Sequence, residues 1–121
     1  MKITRFEDLD CWQEATSLAI EIYRISGDGE IGKDYGFRDQ LRRSAVSIAS
    51  NIAEGKERER ASEFIRFLYI AKGSAGELKT QLYIAKEIGY LDEAKFLKLD
   101  QKVEKISGML GNLIKAIRRQ K

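Results

Sequence analysis

The sequence predicts an all-α protein, built as an antiparallel up-down four-helix bundle in one domain over residues 1–121. Proline is absent from all 121 residues, and the chain is rich in Ala, Leu, Ile, Lys, Arg and Glu, as helical proteins are. Apolar residues recur at spacings of three and four along four long stretches. The stretches between them are short, which makes consecutive helices antiparallel neighbours. A chain of this length can bury a real core without staples.

The first helix is expected over about 8–26, with Leu9, Trp12, Ala15, Ala19 and Ile22 on one face. The second is expected over 34–55. Asp34 is placed to cap it, and Phe37, Leu41, Ala45, Ile48 and Ile52 share a face before Gly55 and the charged run KERER break the pattern. The third is expected over 61–88, with Phe64, Leu68, Ala71, Ala75, Leu78, Leu82 and Ala85 as its seam and Gly89 as its stop. The fourth, over 92–119, opens at Asp92 and carries Phe96, Leu99, Val103, Ile106, Leu110, Leu113 and Ile117 in strict alternation of three and four. Such a seam suits left-handed, coiled-coil-like packing.

Several chemistries are removed by composition. The chain has no histidine, so Ser-His-Asp hydrolysis, Cys-His catalysis and histidine-based metal sites are unavailable. The expectation is a non-enzyme with no cofactor and no metal. A single cysteine, Cys11, cannot close an internal disulfide, which suits a reducing compartment. No run has signal-peptide or membrane-spanning character, and a cytoplasmic protein without a membrane partner is expected. Net charge is +3 but uneven: residues 1–33 hold four basic and seven acidic side chains, and residues 92–121 hold eight basic and four acidic. The two ends would attract polyanions locally or attract each other between subunits.

The segment ISGDGEIGKDYGF, residues 25–37, spells G-x-G-x-x-G through Gly27, Gly29 and Gly32, and nearly spells a phosphate loop ending at Lys33. A dinucleotide fingerprint needs a strand to deliver its glycines to a helix N-terminus, and here a helix precedes them. Asp34 stands where a magnesium-ligating hydroxyl belongs, and Asp28 and Glu30 repel phosphate. The segment is read as a helix-to-helix loop whose glycines supply positive φ.

Small polar residues interrupt the second helix. Ser44, Ser47 and Asn51 form one row, and Ser47, Ser50 and Glu54 the next, followed by Gly55. The third helix offers Glu77 and Gln81, four apart. The structural reading is close helix approach with polar groups that pair and fix register. A polar pocket is the functional alternative, but no nucleophile–base pair lies near.

The order FEDLDCWQEA, YGFRDQLRRSAVSIASNIAEG, EFIRFLYIAKGSAGELKTQL and IAKEIGYL resembles the four-helix-bundle family of 23S rRNA intervening-sequence proteins. The match covers nearly the whole chain, with SIASNIAEG and GSAGEL as its most specific parts. That family is similar in turn to the accessory protein of diversity-generating retroelements. The resemblance implies a ring-like homopentamer in the neighbourhood of RNA or retroelements, and no enzymatic activity.

Beyond its seam, the third helix offers Ile65, Phe67, Tyr69, Ile70, Tyr83, Ile84 and Ile88, a surplus that suggests a subunit interface to which Trp12 would also contribute. One row reads Ile65, Tyr69, Lys72, Gly76, Lys79, Tyr83, Lys86, Tyr90. Its lysines would meet phosphates while its tyrosines stack on unpaired bases. Alternatively, the row is solvated surface beside an interface. The fourth helix adds Lys95, Lys98, Lys102, Lys105 and Arg119, and the second adds Arg38, Arg42 and Arg43. Repeated around a ring, these would form a continuous basic strip. Two functions follow: association with RNA or other nucleic acid through basic helix faces, or a scaffold docking a reverse transcriptase or other partner protein.

Overall fold

The computed structural model describes residues 5–120, so Lys2 and Lys121, counted in the end charges above, lie outside the described residues. A 3-10 turn at Phe6–Asp8 precedes α1 (Asp10–Ile25), α2 (Gly29–Lys33), α3 (Tyr35–Glu57), α4 (Ala61–Glu87) and α5 (Glu93–Arg119). The described residues form no strand. The result is a helical bundle in which α3 packs on α4, α4 on α5, α1 on α3, and α1 on α5.

One apolar core runs through all four long helices. Leu18 and Ile22 of α1, Leu41 and Ile48 of α3, Leu68 and Leu78 of α4, and Ile106 and Leu110 of α5 are fully enclosed. Removing that much apolar surface from water is the main stabilising term of the fold. Alanines at Ala15, Ala45, Ala71 and Ala75 sit between these larger side chains and let the helices approach closely.

Helix ends follow local chemistry. Asp34 accepts a hydrogen bond from the Phe37 amide at 3.2 Å, and Asp92 accepts one from the Lys95 amide at 2.8 Å. At the far end of α4, Gly89 takes φ +86° and the Tyr90 amide reaches back to the Ala85 carbonyl at 2.7 Å, which closes the helix. Asp34 does a second job, because its other oxygen accepts from the Tyr90 hydroxyl at 2.8 Å. That bond holds the Tyr90 hydroxyl above its usual pKa. The Phe37 and Tyr90 rings meet edge to face beside it.

Four expectations need correction. Asp8 belongs to the 3-10 turn, and α1 starts at Asp10, capped by the backbone of Leu9. The helix does not break at Gly55: α3 continues to Glu57. Residues 29–33 form a one-turn helix, α2, because Ile31 buries itself in the core. Only Gly29 of the three fingerprint glycines has positive φ, at +67°. The α5 seam passes to Ile114, leaving Leu113 and Ile117 partly buried. A row repeating every 3.5 residues drifts by about 20° per heptad on a straight helix, which accounts for the shift.

Candidate interaction surfaces

Between α1 and α3 runs a groove of about 720 Å³. Ala19, Ala49 and Ala53 form its floor, while Trp12, Ile20, Tyr23 and Val46 stand as walls. Ile20, Tyr23 and Val46 remain 40–52% exposed, a large outlay of apolar surface for side chains that could have been polar. Trp12 is steadied by an edge-to-face contact with Phe6 at 5.4 Å between ring centroids. At the other end the Arg42 guanidinium lies over the Tyr23 ring and donates to the Ser26 hydroxyl at 2.8 Å. Arg24 lies on the groove's rim, the only charged residue of its lining among the described residues.

The outer face of α4 is the second apolar surface. Tyr69, Ile70, Tyr83, Ile84 and Ile88 are all 40–53% exposed. Two members of the expected surplus belong elsewhere. Phe67 is buried because Gly55 of α3 leaves room for Phe67 and Phe64 to close in, and Ile65 is partly buried against the core. Gly73 and Gly76 also lie on the exposed face, with no atom within 4 Å of where a Cβ would stand. Neither has positive φ, so nothing within the subunit requires glycine there, although each weakens the helix by roughly 0.5–1 kcal/mol against alanine.

The polar row lies between α3 and α4. Ser44 donates to the Gln81 side-chain oxygen at 2.7 Å, Ser47 and Ser74 share a bond of 2.8 Å, and the Asn51 amide donates to the Ser47 carbonyl at 2.8 Å. Among the described residues every buried side-chain polar atom has a partner, so the row pairs two helices and leaves no group free to receive a ligand. Glu54 and Glu77 are not part of it. Glu54 is exposed and pairs with Arg58 at 3.0 Å, and Glu77 points outward from α4. Ser74 takes the place expected of Glu77. Residues three apart point only about 60° apart around a helix, so a small rotation of α4 turns Ser74 rather than Glu77 toward α3.

The cations are widely engaged within the subunit. Lys79 binds Asp100 at 2.7 Å, a hydrogen bond that raises the lysine pKa, and Glu104 stands 3.7 Å away. Lys72 donates to the Ser107 hydroxyl at 3.1 Å. Lys86 lies over the Tyr83 and Phe96 rings, and Arg118 over Tyr69. Lys102 and Lys98 reach Glu21 at 2.6 and 3.8 Å, and Lys105 reaches Glu14 at 3.7 Å. Thus the acidic front and the basic tail meet inside one subunit, across α1 and α5. Arg38 pairs with Asp39 at 3.2 Å and covers the Tyr35 ring. Arg43, Lys95 and Arg119 are exposed, with no carboxylate within 4.0 Å among the described residues, and Arg24 is like them.

Glu14, Glu21, Ser74 and Arg24 were missed as contributors in the sequence. Glu14 and Glu21 are seven apart on one face of α1, opposite a lysine row of matching spacing on α5, and that pairing was the available signal. Around α2, Lys33 pairs loosely with Glu30 at 3.9 Å. Among the described residues no group of three His, Cys, Asp or Glu side chains is placed to hold a metal ion.

Comparison with known proteins agrees on fold. The model of the family described as 23S rRNA-intervening sequence protein matches residues 7–112. A crystal structure at 1.70 Å resolution of a protein with unknown function, from the S23 ribosomal protein family of Bacteroides thetaiotaomicron, superposes with a TM-score of 0.79. It is 23% identical, and the match covers 87% of this chain and 98% of that one. No curated protein matches the chain.

Proposed function

The chain belongs to the family of 23S rRNA-intervening sequence proteins, and from that premise we propose that it is a non-catalytic, self-assembling bundle protein that works by association rather than by chemistry. The α1–α3 groove carries the reading: a long apolar concavity with half-exposed Ile20, Tyr23 and Val46 faces no other element of the subunit. Apolar patches of this kind mark interfaces in soluble proteins.

The architecture behind it is an antiparallel up-down bundle. Along α3 and α4, Ser44 meets Gln81, Ser47 meets Ser74, and Gly55 meets Phe67, so one chain number rises as the other falls. Lys72 with Ser107 and Lys79 with Asp100 repeat the pattern for α4 and α5. The assembly is a ring of subunits, five by the family resemblance, in the cytoplasm. The buried free thiol of Cys11 fits a reducing compartment, and no helix among the described residues is long and apolar enough to cross a membrane. Sedimentation velocity at micromolar concentration tests the reading. A species larger than a dimer is expected, and a lone 13.8 kDa species would remove it.

A second reading keeps nucleic acid as partner, favoured by the exposed Tyr69 and Tyr83 rings, each backed by a cation. Such pairs suit stacking on unpaired bases. Fluorescence anisotropy of a labelled single-stranded RNA at two salt concentrations tests it. Phosphate contacts give a salt slope of about 0.7 per contact, and no binding at low salt would leave the scaffold role alone.

A further inference from the structure

A second cleft, of about 520 Å³, lies between α1 and α5 and shares Thr16, Ile20 and Arg24 with the apolar groove. Its charges come from two helices: Glu21 and Arg24 of α1, and Lys98 and Lys102 of α5. Three cations against one carboxylate leave an excess of two positive charges in the lining. Lys102 holds Glu21 at 2.6 Å, while Lys98 reaches the same carboxylate at 3.8 Å with its side chain 70% exposed. Arg24 is exposed and has no carboxylate within 4.0 Å among the described residues. The next pair along these helices, Glu14 with Lys105 at 3.7 Å, is neutral and leaves that excess unchanged. The remaining wall is polar. The Gln13 amide nitrogen donates to the Glu7 carbonyl at 2.9 Å, and the Thr16 hydroxyl donates to the Gln13 carbonyl at 2.9 Å. Each side chain keeps oxygen lone pairs as acceptors, and Ser17 lies exposed on the same wall.

From this arrangement we propose that the α1–α5 cleft binds a small phosphate monoester of a hydroxylated compound, of the sugar phosphate class. Such a phosphate carries close to two negative charges at neutral pH, which matches the excess in the lining. The Arg24 guanidinium offers a planar fork to two phosphate oxygens, and Lys98 reaches them as a mobile point charge. Surface ion pairs are weak, so Lys98 can leave Glu21 for a closer anion. Lys102 stays on Glu21, which fixes its ammonium at the mouth of the cleft. Ligand hydroxyls donate to the Gln13 and Thr16 oxygens, and half-exposed Ile20 covers the carbon skeleton. The volume lies within the range of small-molecule sites, about 300–1,000 Å³. This inference goes beyond self-assembly and does not depend on it, because Lys98 and Lys102 lie outside the apolar groove.

Equilibrium dialysis of labelled ribose phosphate at fixed ionic strength tests the site, with ribose and inorganic phosphate as competitors. The wild type should bind ribose phosphate, and neither competitor should displace it at equal concentration. Lys98→Gln with Lys102→Gln should weaken binding about tenfold. Glu21→Gln should tighten it, because the cleft gains positive charge while both lysines are released. Circular dichroism establishes that each variant is folded, and light scattering reads its mass, so loss of the ligand is distinguished from loss of assembly. Absence of binding by the folded wild type overturns the proposal, as does equal binding by the lysine double variant. Inorganic phosphate that competes as well as ribose phosphate overturns the hydroxylated ligand. Single-stranded RNA bound through the same lysines, with ribose phosphate unable to displace it, gives the cleft to a polyanion and overturns the proposal too. None of these results touches the self-assembly reading.

Discussion

Gly55 shows how much one atom decides. Glycine inside a helix ordinarily weakens it, yet a Cβ at Gly55 would lie 2.6 Å from the Phe67 Cβ and 3.1 Å from a Phe64 ring carbon. No rotamer change relieves a clash between two Cβ atoms, so α3 and α4 must part. Gly55→Ala should cost about 1–3 kcal/mol, as overpacking does, and Gly108→Ala, with open space around it, should gain roughly 0.5–1 kcal/mol. Urea denaturation of both variants checks the contrast, and a Gly55→Ala protein as stable as the wild type would mean α3 and α4 are not packed this way. Cys11 gives a second handle. Burial pushes its thiol from an ordinary value near 9 up to about 11. The folded state therefore holds the proton more tightly than the unfolded one. The associated stability is complete below pH 9 and is lost as pH climbs through 11. Alkylation at neutral pH should label Cys11 only as fast as the protein opens, and Cys11→Ala should flatten the alkaline loss of stability. Rapid labelling of the native protein would contradict its burial.

At the scale of helices, α1 is held differently on its two sides. Toward the shared core it buries Ala15, Leu18 and Ile22, while toward α5 it relies on Glu14 with Lys105 and Glu21 with Lys98 and Lys102. Partly exposed pairs of this kind contribute about 0.2–1 kcal/mol and weaken with salt. A double-mutant cycle on Glu21→Gln and Lys102→Gln should give a coupling of that size at low salt and a smaller one in concentrated sodium chloride. A coupling unchanged by salt would place the pair in a drier setting than its exposure indicates. The helices themselves were legible in the sequence because periodicity and capping are local: Asp34 and Asp92 cap where their spacing placed them. What faced what was less legible. Glu77 and Ser74 lie three apart on α4, and the choice between them depends on how far α4 is rotated against α3. Phe67 read as surface because its burial depends on Gly55, distant in sequence. The lysine rows read as free because the acidic partners at Glu14 and Glu21 belong to another helix.

For the whole molecule, the core explains stability and the outside explains purpose. The lysines most conspicuous in the sequence are largely neutralised or stacked within the subunit, whereas the groove between α1 and α3 faces no other element. Association through apolar surface is therefore the central proposal, and a ring is the assembly it would build. The direct measurement is the light-scattering mass of the wild type beside Ile20→Asp, a half-exposed wall position whose change leaves the core intact. The account predicts a wild-type particle heavier than two 13.8 kDa subunits and a variant that is folded but falls to one. Identical masses for the two proteins would contradict it.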